Sequence, residues 1–383
     1  MSRRWELDAL RGLMLVLMTL THLPTRLSYP LGHTFGFVSA AEGFVLLSGF
    51  MAGLVYSQRG RRQGAAAMRH GLWRRAGVIY LCHLVLLLLL FGVFAGLAQR
   101  LGQLDVSNLI GHYLEDPRAA WLQALALLYQ PALLDVLPMY VLFMLASPWL
   151  LCHGLRHGWG GILAGSVLLW VAAQFGLGEA LHALMMQGLG LPVRPEDSGS
   201  FVLFAWQFLW VLGLWMGAES ASRQLQPPRF PRWMVHAAVL VATACFFWRH
   251  AVGHAPFGTD ATLNLLFDKW HLGPLRLLNL LALMVVVMHF GPALRAALPR
   301  PHGLETLGRA SLSVFNAHLV IVLAVLTLFG GNPALRPPWA DAMLLALCFL
   351  LLWAVARAVQ ARPATAGGQP AAWPGQLTSG ASR

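Results

Sequence analysis

Two side chains eleven residues apart raise the first chemical question. In WELDALRGLMLVLMTLTHLP, Arg11 and His22 stand, with Asp8, in a mostly apolar run. If the run is a helix, eleven steps of about 100° return the second side chain to within ~20° of the first, about 16.5 Å further along the axis. Asp8 sits three residues before Arg11 on the same face and can pair with it. A guanidinium at one end of such a face could hold an anionic group. An imidazole at the other end could move a proton. Ionisable groups at the centre of an apolar span cost about 2.5–3.5 kcal/mol each on insertion scales, so they point to a site.

A second stretch, GFVSAAEGFVLLSGFMAGLVY, carries Glu42 about one helical turn from the expected depth of His22. A carboxylate beside an imidazole would fix its tautomer and raise its basicity. The structural alternative is a protonated Glu42 bonded to a facing helix. Ser48 could act as a nucleophile, but it is off Glu42's face and belongs more simply to packing beside Gly43, Gly49 and Gly53. RGRRQGAAAMRHGLWRRAG holds six arginines. They read either as a positive-inside anchor or, through Arg69, Arg74 and Arg75, as a docking mouth for a phosphate-bearing ligand. In FDKWHLGPLRLLNLLAL, Asp268, Lys269, His271 and Arg276 form either a solvated interface group or a set that binds a polyhydroxylated acceptor. His318, in GRASLSVFNAHLVIVL, reads as a core histidine with a possible site role. No H-E-x-x-H spacing suggests a metal, and no phosphate-binding glycine loop suggests a nucleotide fold.

These residues need a scaffold, and composition names it. Of 383 residues, 57% are hydrophobic and 11% charged, where a soluble domain has roughly 25% charged. The net charge of +12 therefore speaks of membrane topology rather than of nucleic acid. We expect an all-α polytopic membrane protein of about ten transmembrane helices, over 8–27, 34–56, 77–98, 133–152, 160–177, 201–218, 234–252, 272–290, 310–330 and 340–359. The stretch 119–130 reads as an interfacial or re-entrant segment. With the N-terminus inside, 19 of 27 Lys and Arg fall on the cytoplasmic side, which places both termini in the cytoplasm. Residues 1–361 read as a single transmembrane domain, and 362–383, rich in Ala, Gly, Pro and Ser, as a disordered cytoplasmic tail. The N-terminal stretch does not read as a cleavable signal. Four cysteines without C-x-x-C spacing read as unbridged apolar residues.

The motifs carry a resemblance. LDALRGLMLVLMTLTH resembles the first-span signature of the integral-membrane acyltransferase-3 superfamily, and AEGFVLLSGF and ASLSVFNAHLV resemble later segments of it. RWELDALRG, LPMYV, FAWQFLWVLGLWMG, DKWHLGPLRLLNLLAL and LGRASLSVF are similar to its OpgC branch, named for succinylating osmoregulated periplasmic glucans; the likeness covers most of residues 4–320. The resemblance implies a ten-span bundle in the bacterial inner membrane. In it, a cytoplasmic acyl-CoA co-substrate, succinyl-CoA by the branch name, gives its acyl group to a hydroxyl of an exported glycan, with no tightly bound cofactor. Position by position, His22 matches the essential histidine and Arg11 its paired arginine, while Glu42 stands where most relatives have Asp. The third-span R-x-x-R of many relatives is absent, and Arg69, Arg74 and Arg75 are its nearest match. An extended pantetheine arm is comparable in length to the Arg11–His22 rise. His22, steered by Glu42, would serve as general base, or as the site of a transient acyl-imidazole. A transporter or flippase for an anionic or lipid-linked sugar is the competing class, and paired broken helices in two halves would be its sign.

Overall fold

The computed structural model describes residues 4–32, 34–190, 193–222, 230–253 and 255–361. The expected tail, 362–383, lies outside the described residues. The first helix, α1 (Trp5–His22), opens with Glu6 and Asp8 in its first turn, where acids complement the helix dipole. It stops at Leu23, whose extended backbone (ψ 126°) is what a following proline enforces. The next long helix, α2 (Ala40–Leu89), begins in a capping box in which Ser39 and Glu42 satisfy each other's backbone donors. Gly64 breaks α2 with φ 86° and ψ 165°, a conformation open to glycine but strained for other residues. The expected spans 34–56 and 77–98 are thus the two arms of one broken helix. A π-helical turn, Leu90–Phe94, leads into the short helices Ala95–Leu101, Leu104–Leu109, Gly111–Glu115 and Pro117–Leu125.

The remainder is helical as well: α3 (Val136–His157), α4 (Gly160–Gln174), α5 (Leu177–Leu189), α6 (Leu203–Ser222), α7 (Arg232–Val252), α8 (Pro274–Ala297), α9 (His302–Arg309), α10 (Ser311–Phe329) and α11 (Pro338–Ala361). Among the described residues there is no strand, only an isolated bridge between Phe35 and Val38. Each of the ten expected stretches falls on helix. By length and hydropathy, however, seven helices among the described residues can cross a membrane, or eight if α4 and α5, bent by 79°, form one span. The difference from ten is physical. Helix α1 carries Glu6, Asp8 and Arg11 within eighteen residues, and α2 with its continuation counts once despite its break.

Glycines decide which helices touch most closely. A Cβ on Gly49 or Gly53 of α2 would strike the Trp210 or Leu214 carbonyl of α6, and one on Gly213 or Gly217 would strike α2 in return. Both helices carry G-x-x-x-G, and their backbones interlock. Helix α1 meets α9 in the same manner, Gly12 against Leu304 and Gly308 against the Asp8 carbonyl. A single large apolar core joins α1, α2, α3, α6 and α10, with edges of α8 and α11. Helix α7 stands outside that core. It packs on α8 and, through Cys245, on Phe37 and Phe267. All four cysteines are unbridged.

Candidate active site

Helices α1 and α10 run side by side and meet at two polar contacts. At one end the Arg11 guanidinium donates to the Ser311 hydroxyl. At the other, His22 Nδ1 lies 3.2 Å from His318 Nε2, with the rings stacked 5.4 Å apart at 19°. Ser311 and His318 are seven residues apart, about two turns and ~10.5 Å of rise, on one face. The long Arg11 side chain makes up the difference from the longer rise on α1.

The hydrogen-bond chain fixes where the protons are. His318 Nδ1 is 2.6 Å from the Phe315 carbonyl oxygen, which can only accept, so that nitrogen carries the proton. In the neutral ring His318 Nε2 is then the lone-pair atom, and His22 Nδ1 donates to it. This leaves the lone pair of His22 on Nε2, which has no hydrogen-bond partner among the described residues. The assignment follows from the network.

Glu42 is not part of this chain. One carboxylate oxygen accepts from the backbone N–H (3.0 Å) and hydroxyl (2.5 Å) of Ser39, and the other from Arg276 at 2.5 Å. Arg276 also donates to the Phe267 carbonyl at 2.9 Å. The expected carboxylate–imidazole contact is thus replaced: His318 holds His22, and Glu42 ties the start of α2 to α8. The reason is local. Helix α2 starts at Ala40, so Glu42 lies in its first turn, where a carboxylate caps the helix.

The other expected residues separate by location. Asp8 is buried where α1 meets α9. Ser48 is buried beside the Tyr140 phenol, which donates to the Phe44 carbonyl at 3.1 Å and feels the Arg11 charge. Arg69 and Arg74 are exposed beyond the Gly64 break. Arg75 is partly buried and, with Arg59 and Arg74, surrounds Tyr56; its charge also reaches Cys82, which sits against Asn316 of α10. Guanidinium groups thus extend from the Gly64 break toward the α1–α10 seam.

Near His22, the expected acceptor group divides. Lys269 projects over the Trp270 ring (4.5 Å) and the Phe201 ring (5.6 Å), and its charge reaches His22. Burial pushes its ammonium below the usual lysine range. His271 points elsewhere, with Nδ1 2.9 Å from Asp268 and Nε2 3.1 Å from Glu179 of α5. The Asp268 hydrogen bond, reinforced by Glu179 against partial burial, raises His271 to about 9. The sequence reading missed Ser311, Tyr140, Ser39 and Glu179. Two of them had a visible signal: Ser39-Ala-Ala-Glu42 is a capping-box pattern, and Ser311 is two turns before His318.

The family profile described as OpgC protein matches residues 3–363. No curated protein and no solved structure matches the chain. With a match over nearly its whole length, on an all-helical scaffold with several membrane-length apolar helices, the chain belongs to the OpgC family, a membership that points to a membrane-bound transferase acting on glucans.

Proposed function

We propose that this protein is an inner-membrane O-acyltransferase that moves an acyl group of the succinyl class from acyl-CoA to a hydroxyl of a periplasmic glucan. Its ten helical stretches cross the membrane with both termini in the cytoplasm, so the Arg11 end faces inward and the His22 end outward. Arg11, Arg74, Arg75 and Arg59 hold the phosphates of the donor at the inner mouth, where bidentate guanidinium contacts suit phosphate oxygens. The donor's thioester extends along the α1–α10 seam toward His22.

The observation that carries this reading is the lone pair left on His22 Nε2 by the Phe315–His318–His22 chain. His22 Nε2 takes the proton of the sugar hydroxyl as its oxygen attacks the thioester carbonyl. The C–S bond then breaks, and the coenzyme A thiolate leaves with the proton that His22 Nε2 took from the sugar hydroxyl, which restores the neutral imidazole. His318 accepts the hydrogen bond from His22 Nδ1 throughout and supports the imidazolium that forms. Lys269, whose charge reaches His22, favours the negative charge on the attacked carbonyl oxygen. A general base of this kind is worth about 10²–10⁴ in rate.

The test is mass spectrometry of periplasmic glucan from cells making the wild-type protein or His22→Ala at equal levels. The expected result is exported glucan stripped of its acyl groups. Unaltered acyl content in His22→Ala would end the reading, and a loss of exported glucan with acyl content per molecule unchanged would favour a transporter instead.

A further inference from the structure

A cavity of about 330 Å³ lies between the short helix Leu104–Leu109, the segment before α3 and the loop before α6. Its size falls near the lower end of the roughly 300–1,000 Å³ range of small-molecule pockets. Asn108, Tyr129, Gln130, Arg194, Glu196 and Asp197 line it. Arg194 is already ion-paired with Asp197 (2.8 Å) and Glu196 (3.3 Å). The wall therefore offers no uncommitted cation, and a phosphate or carboxylate ligand would meet two acids.

What remains available is a mixed set of neutral donors and acceptors. The Tyr129 hydroxyl is fully buried and makes no hydrogen bond of normal geometry among the described residues, which a protein rarely tolerates without a use. Its ring is fixed by parallel alignment with Phe91 (6.2 Å) and edge contact with His112 (4.8 Å). Burial pushes the phenol above the ordinary tyrosine range, so it stays a hydroxyl able to donate and accept. The Gln130 amide nitrogen is spent on the Leu127 carbonyl (3.0 Å), which leaves its oxygen as acceptor. The Asn108 amide, exposed at the rim, has no hydrogen-bond partner among the described residues.

The cavity is also linked to the candidate active site through a chain of neighbouring residues. Gln130 packs against Gly199, and the next residue, Ser200, donates its backbone N–H to Asp135 at 3.1 Å. The Asp135 charge acts on Lys269, and the Lys269 charge on His22. A polymer of hydroxyl-bearing units could span both places at once.

We propose that this cavity is a second glucan subsite, holding a sugar unit of the acceptor chain beside the unit whose hydroxyl is acylated. The proposal deepens the acyltransferase reading and rests on it for the location of the acceptor. A neutral sugar matches the wall: its hydroxyls both donate and accept, as Tyr129, Gln130 and Asn108 together require.

The test uses the full-length protein in lipid nanodiscs and a linear glucose oligosaccharide as probe, with binding read by calorimetry. Tyr129→Phe removes one buried hydroxyl and should weaken oligosaccharide binding about 10-fold, the scale of one lost hydrogen bond. Its thermal midpoint should hold or rise, because the hydroxyl makes no hydrogen bond of normal geometry among the described residues. Asn108→Ala, at the exposed rim, should weaken binding several-fold and guards against a Tyr129 variant that fails to fold. Acylation of methyl glucoside, which occupies the reacting position alone, should not change in either variant. Unchanged oligosaccharide affinity in both variants, or no binding by the wild type, overturns the subsite. Binding that the variants weaken, without acyl transfer from succinyl-CoA by the wild type, leaves the subsite standing and defeats the acyltransferase reading.

Discussion

Glu42–Arg276, fully buried, and His22–His318, with His22 half-buried, are polar pairs that join distant parts of the chain, but they differ in what they leave available. Both oxygens of Glu42 are engaged, one by Ser39 and one by Arg276. The imidazole pair is anchored at one end, on the Phe315 carbonyl, and leaves a lone pair at the other. A carboxylate with its acceptor sites occupied holds helices together. An imidazole with one nitrogen held and one unbound can exchange protons. The contrast teaches that burial and charge alone do not mark a catalytic residue; the count of unspent donors and acceptors does.

The largest effect expected on either side of this contrast is on chemistry. His22→Ala should lower glucan acylation by about 10²–10⁴, with the thermal midpoint of the purified protein close to wild type. Glu42→Ala should do the reverse. Leaving the Arg276 guanidinium buried without its carboxylate costs about 3–5 kcal/mol, so the protein should melt much earlier, and activity per folded molecule should persist. A Glu42→Ala protein of normal stability and no activity would erase the distinction.

His318 sharpens the comparison at smaller scale. His318→Phe keeps the ring volume but removes the acceptor for His22 Nδ1, a hydrogen bond to a group that becomes charged, worth about 1.5–3 kcal/mol or 10–100-fold in kcat. His318→Gln, which can still accept, should recover part of that loss, and the KM for the acyl donor should stay put. At the other end of the seam, Ser311→Ala removes the hydroxyl that positions Arg11. It should raise the donor KM roughly 10-fold, near the low end for a hydrogen bond to a charged group, and spare kcat.

The smallest effect concerns pH. His271 titrates near 9 in the folded protein, above the ordinary 6.5, because Asp268 and Glu179 favour its charged form. A raised folded value means that this stabilisation is full below about pH 6.5 and is lost as pH rises through about 9. The thermal midpoint should therefore fall between pH 7 and pH 10, and His271→Ala should flatten that part of the fall. A variant that keeps the full slope would remove His271 from the account.

The helices were legible because an apolar stretch in a chain this poor in charge has few alternatives, and all ten stretches are helical. Span counting was less secure. Helix α1 hides behind its own charges, Glu6, Asp8 and Arg11, and Gly64 reads in sequence as one more loop residue although helix continues on both sides. The Arg11–His22 face followed from helical arithmetic. The partner of His22 did not, since helix-to-helix neighbours are set by packing between residues nearly three hundred positions apart. Glu42 misled because its apolar surroundings suggested mid-span, while Ser39 three residues earlier marked a helix start. The subsite around Tyr129 had no sequence signal at all. Its walls come from three separate segments whose adjacency only folding creates.

The interlocked glycines of α2 and α6 carry a mechanical consequence. Where carbonyl groups of one helix fill the hollows left by missing side chains on the other, no compressible layer separates them, and the two move as one rigid beam. Movement within the bundle therefore falls first to α7, which stands outside the common core and rests on α8 and on the small cluster of Phe37, Cys245 and Phe267.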